Sequence, residues 1–333
     1  METTQLLAEG FLGLPDAAVQ VRETIGDPNS AGGGRAISVT LAGGMSFEVL
    51  LERGLDIGAA WADGQPIAWR APLNNPGLAP SPRDWVGRFG GGLLTTCGLD
   101  NIGSPRDGYG QHGSHHDTRA AEVSWSRLPA SATDAPGIVI RGVVDSVETF
   151  GRMVRVYREI ESRCDREELI VRDRIVNEGW LPAGVALLYH INLGAPLVLP
   201  GTSITIPARS HTPREAVRQA PDWDTYPEPI DEIQEAVWVH SGLEVASGRA
   251  RALVTSPSGR QLGLEWTAES LPDCVEWIFP SRGRWALGIE PVNAPIFGPE
   301  REGPTAGAPI LAPGEALSTE LRLYLSGPDR HLS

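Results

Sequence analysis

Basic residues are scarce in this sequence: 28 Lys and Arg stand against 42 Asp and Glu, for a formal charge of −14 at pH 7. No basic run interrupts the acidic balance. Nucleic acid and anionic membrane surfaces both reward clustered Lys and Arg, so neither is expected as a partner. Cysteine is equally sparse. Cys97, Cys164 and Cys274 are odd in number and lie at long, unpatterned spacings, which predicts reduced thiols and a cytoplasmic location, with neither a disulfide framework nor a zinc site. No stretch reaches 18 consecutive uncharged apolar residues, so no transmembrane helix is expected. The first twenty residues lack a cationic region and carry Glu2, Glu9 and Asp16, which argues against a signal peptide. Helical periodicity does not persist anywhere in the chain.

What is abundant is strand punctuation. The 39 glycines and 28 prolines are spread between short β-rich runs, and no linker is long enough to separate domains. Alternation is plain in AISVTLA (36–42), SFEVLLE (46–52), RMVRVYREIES (152–162) and EELIVRDRIVNEG (167–179). The last two, joined by residues 163–166, predict a hairpin with charged outer faces. Residues 213–232 form a Pro- and acid-rich loop. With 41% hydrophobic residues over 333 positions, the chain can bury a sizeable core. The expectation is a single all-β domain over residues 1–333, a large antiparallel sandwich.

Against this background LGIEPVNAP (287–295) sets Glu290 in an apolar run, just before a proline that cannot donate to a ladder. It reads either as a solvated strand-end glutamate or as a general base at the mouth of a β cleft. Three of the seven histidines fall in HGSHHD (112–117). Such a cluster suits a divalent metal, yet it lacks HExxH or HxH spacing. His190 lies in the apolar run GVALLYHINLGAPL, where a satisfied core histidine and a catalytic one are both open readings. His211, His240 and His331 offer no supporting context.

At these residues the sequence resembles the aldose 1-epimerase (galactose mutarotase) superfamily. RIVNEGWLPAGVALLYHINLGAPL (174–197) is similar to the family's histidine strand, QHGSHH to its His-Gly segment, and LGIEPVNAP to its late glutamate strand. ERGLDIGAAWADGQPIAWRAP and FGGGLLTTCGLDNIGSP look like a divergent, largely uncharacterised branch, and the likeness runs from about residue 35 to about 325. It implies a galactose-mutarotase-like supersandwich. It further implies that Glu290 removes the proton from the anomeric hydroxyl, that His190 protonates the ring oxygen, and that His112 helps hold the sugar.

Departures from the pattern bear on the substrate contacts. Where the family places a sugar-gripping arginine, this chain has TTCGLDNIG, with Asp100 and Asn101 as the nearest polar groups. The family's sugar-binding aspartate has no match beyond Asp231 or Glu235. His116 and Trp277 complete the expected sugar contacts, although the core reading of Trp277 is the stronger of the two. Arg53 and Asp56 are expected to form a structural ion pair near a turn.

The expected function is exchange of sugar anomers by general acid–base ring opening, with a small carbohydrate as partner and no cofactor. One rival is a metal-dependent lyase or isomerase of modified or oxidised sugars, with a divalent ion on His112, His115, His116 and His190. The other is a non-catalytic carbohydrate-binding protein. The sugar, the pathway and assembly into a homo-oligomer stay open.

Overall fold

The computed structural model describes residues 2–14, 17–26, 34–72, 85–131, 133–214 and 221–327. His331 and part of the Pro- and acid-rich loop lie outside these residues. Among the described residues the chain forms an eleven-stranded and an eight-stranded sheet, all their neighbours antiparallel, plus a two-stranded ribbon. No described helix is long and apolar enough to cross a membrane.

The alternating runs become strands as their pattern requires. The predicted hairpin pairs Met153–Arg163 with Glu168–Asn177, in a register that sets Ile170 against Glu161 and Asn177 against Val154. Val154, Val156 and Ile160 point into the core with Leu169, Val171 and Ile175. Their neighbours build a ladder on the other face: Arg172 reaches Glu159 at 3.0 Å, Glu161 at 2.9 Å and Glu320 at 2.6 Å. A period of two sends one set inward and the other outward, so a one-residue slip would bury the whole Arg172 ladder.

Two strands of the larger sheet are buried on both faces, Ala186–Leu193 and Ala286–Val292. Their near-continuous apolar sequences follow from this, since neither face meets open water. Leu187, Tyr189, Ile191, Leu287 and Ile289 join the main core. The opposite face carries Ala186, Leu188 and Val292 in a second, smaller cluster with Trp85, Cys97 and Val275. His190 and Glu290 share the parity of that second face.

One buried ionic group ties the layers together. The Arg158 side chain, fully buried, donates to Asp173 at 2.6 and 2.8 Å, to Asp56 at 2.9 Å and to Thr96 Oγ1 at 2.9 Å. Asp56 also accepts from the Thr96 amide at 2.8 Å, and Tyr189 Oη donates to Asp173 at 2.6 Å. The Arg53–Asp56 pair expected from sequence is thereby corrected. Asp56 is claimed by an arginine 102 residues away, and Arg53 faces Asp117 at 3.8 Å.

Candidate active site

A cleft of about 590 Å³ opens on the second face of the larger sheet. Antiparallel pairing builds its floor. Ile191 pairs with Ile289 and Val275 with Glu290, so His190 and Glu290 come up side by side from adjacent strands. His190 Nε2 and Glu290 Oε1 are 3.1 Å apart, and the two residues are 5% and 3% exposed. Gly288 leaves the room for this contact. A Cβ there would stand 2.6 Å from Glu290 Oε1 and 3.1 Å from His190 Cε1.

Burial sets the protonation of the pair. It pushes the Glu290 carboxyl well above the usual carboxylate range, with Glu235 adding to the effect. It pushes His190 well below the usual imidazole range, with His112 adding to that. Both trends oppose separated charges, so the pair is best described as one unit holding one proton.

Aromatic rings wall the site. The short helix Trp85–Arg88 stacks Trp85 on Phe89 at 4.3 Å and 17°. Phe89 and Trp277 approach the His190 ring at 5.0 and 5.4 Å, and Trp69 meets Trp277 edge-on at 5.6 Å. Such pairs contribute roughly 0.5–1.5 kcal/mol each beyond area burial. Here they also keep water from the imidazole.

The His-Gly segment supplies His112, its ring 4.6 Å from Trp85 and 6.3 Å from His190. His112 sits at φ 59° and Gly113 at φ 73°. A Cβ on Gly113 would fall 2.2 Å from Asp100 Oδ1, which accepts from Asn101 N at 2.8 Å and Ser114 N at 3.1 Å. Only glycine tolerates both that φ and that approach. Burial lowers the His112 pKa to about 3, leaving a neutral ring.

The structure brings Glu290, His190, His112 and Trp277 to one cleft, and it places the other expected contacts elsewhere. Asp100 shapes the His112 loop and lines a separate groove. Asn101, fully buried, donates to Ser104 O and Gly110 O and accepts from Arg301. His116 lies behind Trp85, with Asp117 Oδ2 at 3.2 Å, and Asp117 in turn holds Arg88 of the short helix. Among the described residues no three His, Cys, Asp or Glu side chains converge as metal ligands. Asp231 pairs with Arg282 at 2.8 Å away from the cleft, whereas Glu235 lines it. Glu235 accepts from Trp277 Nε1 at 2.8 Å and from Arg214 at 2.6 Å.

Trp69, Trp85, Phe89, Arg214 and Arg284, which no sequence motif marks, also line the cleft. A second buried pair, equally unmarked by any motif, lies behind the sheet. His240 Nε2 lies 3.0 Å from Glu276 Oε2, both fully buried, and His240 Nδ1 lies 2.7 Å from His211 Nδ1. Trp223 stacks on His211 at 3.8 Å. The only available signal was the shared parity of His240 and Glu276 with core neighbours.

Among curated proteins none matches the chain. Among solved structures, the chain is similar to a proposed aldose 1-epimerase from Klebsiella pneumoniae subsp. pneumoniae MGH 78578, with a TM-score of 0.82 and 19% identity, covering 93% of this chain and 84% of that one. A galactose mutarotase-like protein from Clostridium acetobutylicum superposes with a TM-score of 0.62 at 14% identity, covering 93% and 99%. A proposed aldose 1-epimerase from Escherichia coli K12 gives 0.54 at 16%, with the same coverage. At these identities the likeness establishes the fold, a galactose-mutarotase-like sandwich. Residues 31–325 match the family described as "Domain of unknown function (DUF4432)", and the chain belongs to that family.

Proposed function

We propose that the protein exchanges the anomers of a sugar or sugar derivative, with Glu290 and His190 as a coupled acid–base pair. One observation carries this reading: the 3.1 Å His190–Glu290 contact on the floor of an aromatic-walled cleft. Ring opening takes a proton from O1 and gives one to O5. Both oxygens are bonded to C1, so an acid and a base held side by side can serve them together.

At rest the single proton favours Glu290, because burial opposes both the carboxylate and the imidazolium. Passing it across the 3.1 Å contact to His190 creates the working form, a carboxylate facing O1 and an imidazolium facing O5. Glu290 then accepts the O1 proton as His190 releases its own to O5, and the C1–O5 bond breaks to leave an open aldehyde. Rotation about C1–C2 and the reverse transfers close the other anomer, with no net change in protons. A general acid and a general base contribute typically ~10²- to 10⁴-fold each. Neutral His112, beside the pair, is placed to hydrogen-bond the sugar, and Trp277 to cover a C–H face of the ring.

Exchange spectroscopy by NMR on a panel of aldoses tests the proposal. Acceleration over the buffer rate is expected for at least one of them. Saturable binding without acceleration of any aldose would contradict it and favour the carbohydrate-binding reading.

A further inference from the structure

The charges that the described residues bring to the cleft do not cancel. Among the described residues, four carboxylate and guanidinium side chains line it: Arg214, Glu235, Arg284 and Glu290. Arg214 and Glu235 neutralise each other at 2.6 Å, and Glu290 shares one proton with His190. Arg284 is left over. Its guanidinium makes no ion pair with any described residue, and it stands at the cleft of a chain whose overall charge is −14.

Its backbone is nevertheless firmly placed. The amides of Arg284 and Trp285 donate to Ser281 O at 3.0 and 3.1 Å. Ser281 Oγ donates to Glu232 O at 2.6 Å and accepts from Gln234 N at 3.1 Å. Trp285 Nε1 donates to Val198 O at 2.8 Å. This turn is therefore fixed to the 232–235 segment that carries Glu235, and Arg284 lines the same cleft as the Arg214–Glu235 pair.

We propose that Arg284 determines substrate specificity and that the substrate is an aldose bearing one anionic group, a carboxylate or a phosphate ester, remote from the anomeric carbon. The inference rests on the anomer-exchange reading and adds the substrate class to it. An anion on Arg284 makes a forked, charge-assisted pair and offsets its charge. The anomeric end then points to the His190–Glu290 floor, while the aromatic walls cover the ring between.

Two readouts separate this inference from the functional reading beneath it. Quenching of tryptophan fluorescence reports binding whether or not turnover occurs, and exchange NMR reports turnover. Glucose, glucuronate and glucose 6-phosphate serve as probes, against wild type, Arg284→Ala and Arg284→Lys. Wild type is expected to bind one or both anionic sugars at least ~10-fold tighter than glucose. Arg284→Ala should erase that preference, and Arg284→Lys should restore part of it. Preference for glucuronate alone assigns a carboxylate, and for glucose 6-phosphate alone a phosphate. Loss of the preference in Arg284→Ala with no exchange in any variant would uphold the anion site and sink the anomer-exchange reading. Equal affinity for neutral and anionic sugars, or a preference that survives in Arg284→Ala, would overturn the inference even with exchange intact.

Discussion

At position 288 the absence of a side chain leaves Glu290 free to reach His190. A methyl group there would lie 2.6 Å from the carboxyl oxygen and 3.1 Å from the imidazole carbon, closer than van der Waals contact allows. Gly288→Ala should therefore swing the carboxyl aside, with an overpacking cost of about 1–3 kcal/mol. The fold should survive while anomer exchange falls by ~10²-fold, which exchange NMR and a thermal melt would measure side by side. A wild-type rate in a folded Gly288→Ala protein would show that the 3.1 Å contact is not what the reaction uses. Sequence supplied the identities of Glu290 and His190, through apolar context and resemblance. It could not supply their mutual protonation, which depends on how completely the two strands are covered.

Among the elements, strands were legible and their long-range partners were not. The alternation of residues 152–162 and 167–179 encodes a hairpin because neighbouring residues in sequence decide which face is wet. No such local rule connects Arg158 to Asp56, 102 residues away, or the Trp85 helix to His190. Those contacts exist only once both sheets are assembled. Arg158 is the clearest case, since its side chain is fully buried among Asp56, Asp173 and Thr96. Arg158→Met would leave two buried carboxylates unpaired and is expected to cost roughly 3–5 kcal/mol, read as a lowered denaturant midpoint with an unchanged slope. Because Thr96 belongs to the strand beside His190, exchange activity should weaken as well. A loss below about 1 kcal/mol would mean that water or rearrangement replaces the arginine.

Over the whole molecule the buried histidines make stability depend on pH. The pairs His190–Glu290 and His240–Glu276 each hold one proton when folded, and an unfolded His–Glu pair also holds one between about pH 4.5 and 6.5. They cancel in that window. His112 and His115 do not, since burial first, and then neighbouring charge, lowers each to about 3. Their stabilising contribution is complete above the unfolded value of 6.5 and is lost as pH falls towards 3, because the unfolded chain then binds protons that the folded one refuses. The expected slope is about 1.4–2.7 kcal/mol per pH unit near pH 5, set by one to two protons. Above pH 6.5 the two pairs keep protons that the unfolded chain releases, so stability declines again. Denaturant titrations between pH 4.5 and 8 should show a maximum near 6.5, and a flat profile from 4.5 to 6.5 would refute the neutral burial of His112 and His115.

The central claim is that a proton passes between Glu290 and a sugar hydroxyl. Glu290→Gln keeps the shape and a polar group beside His190 but cannot accept that proton. Measured by saturation-transfer NMR on the aldose that wild type turns over fastest, kcat should fall by ~10²-fold or more while the dissociation constant changes little. A Glu290→Gln protein that exchanges anomers at the wild-type rate would contradict the account, leaving Glu290 as a buried carboxyl that only holds His190 in place.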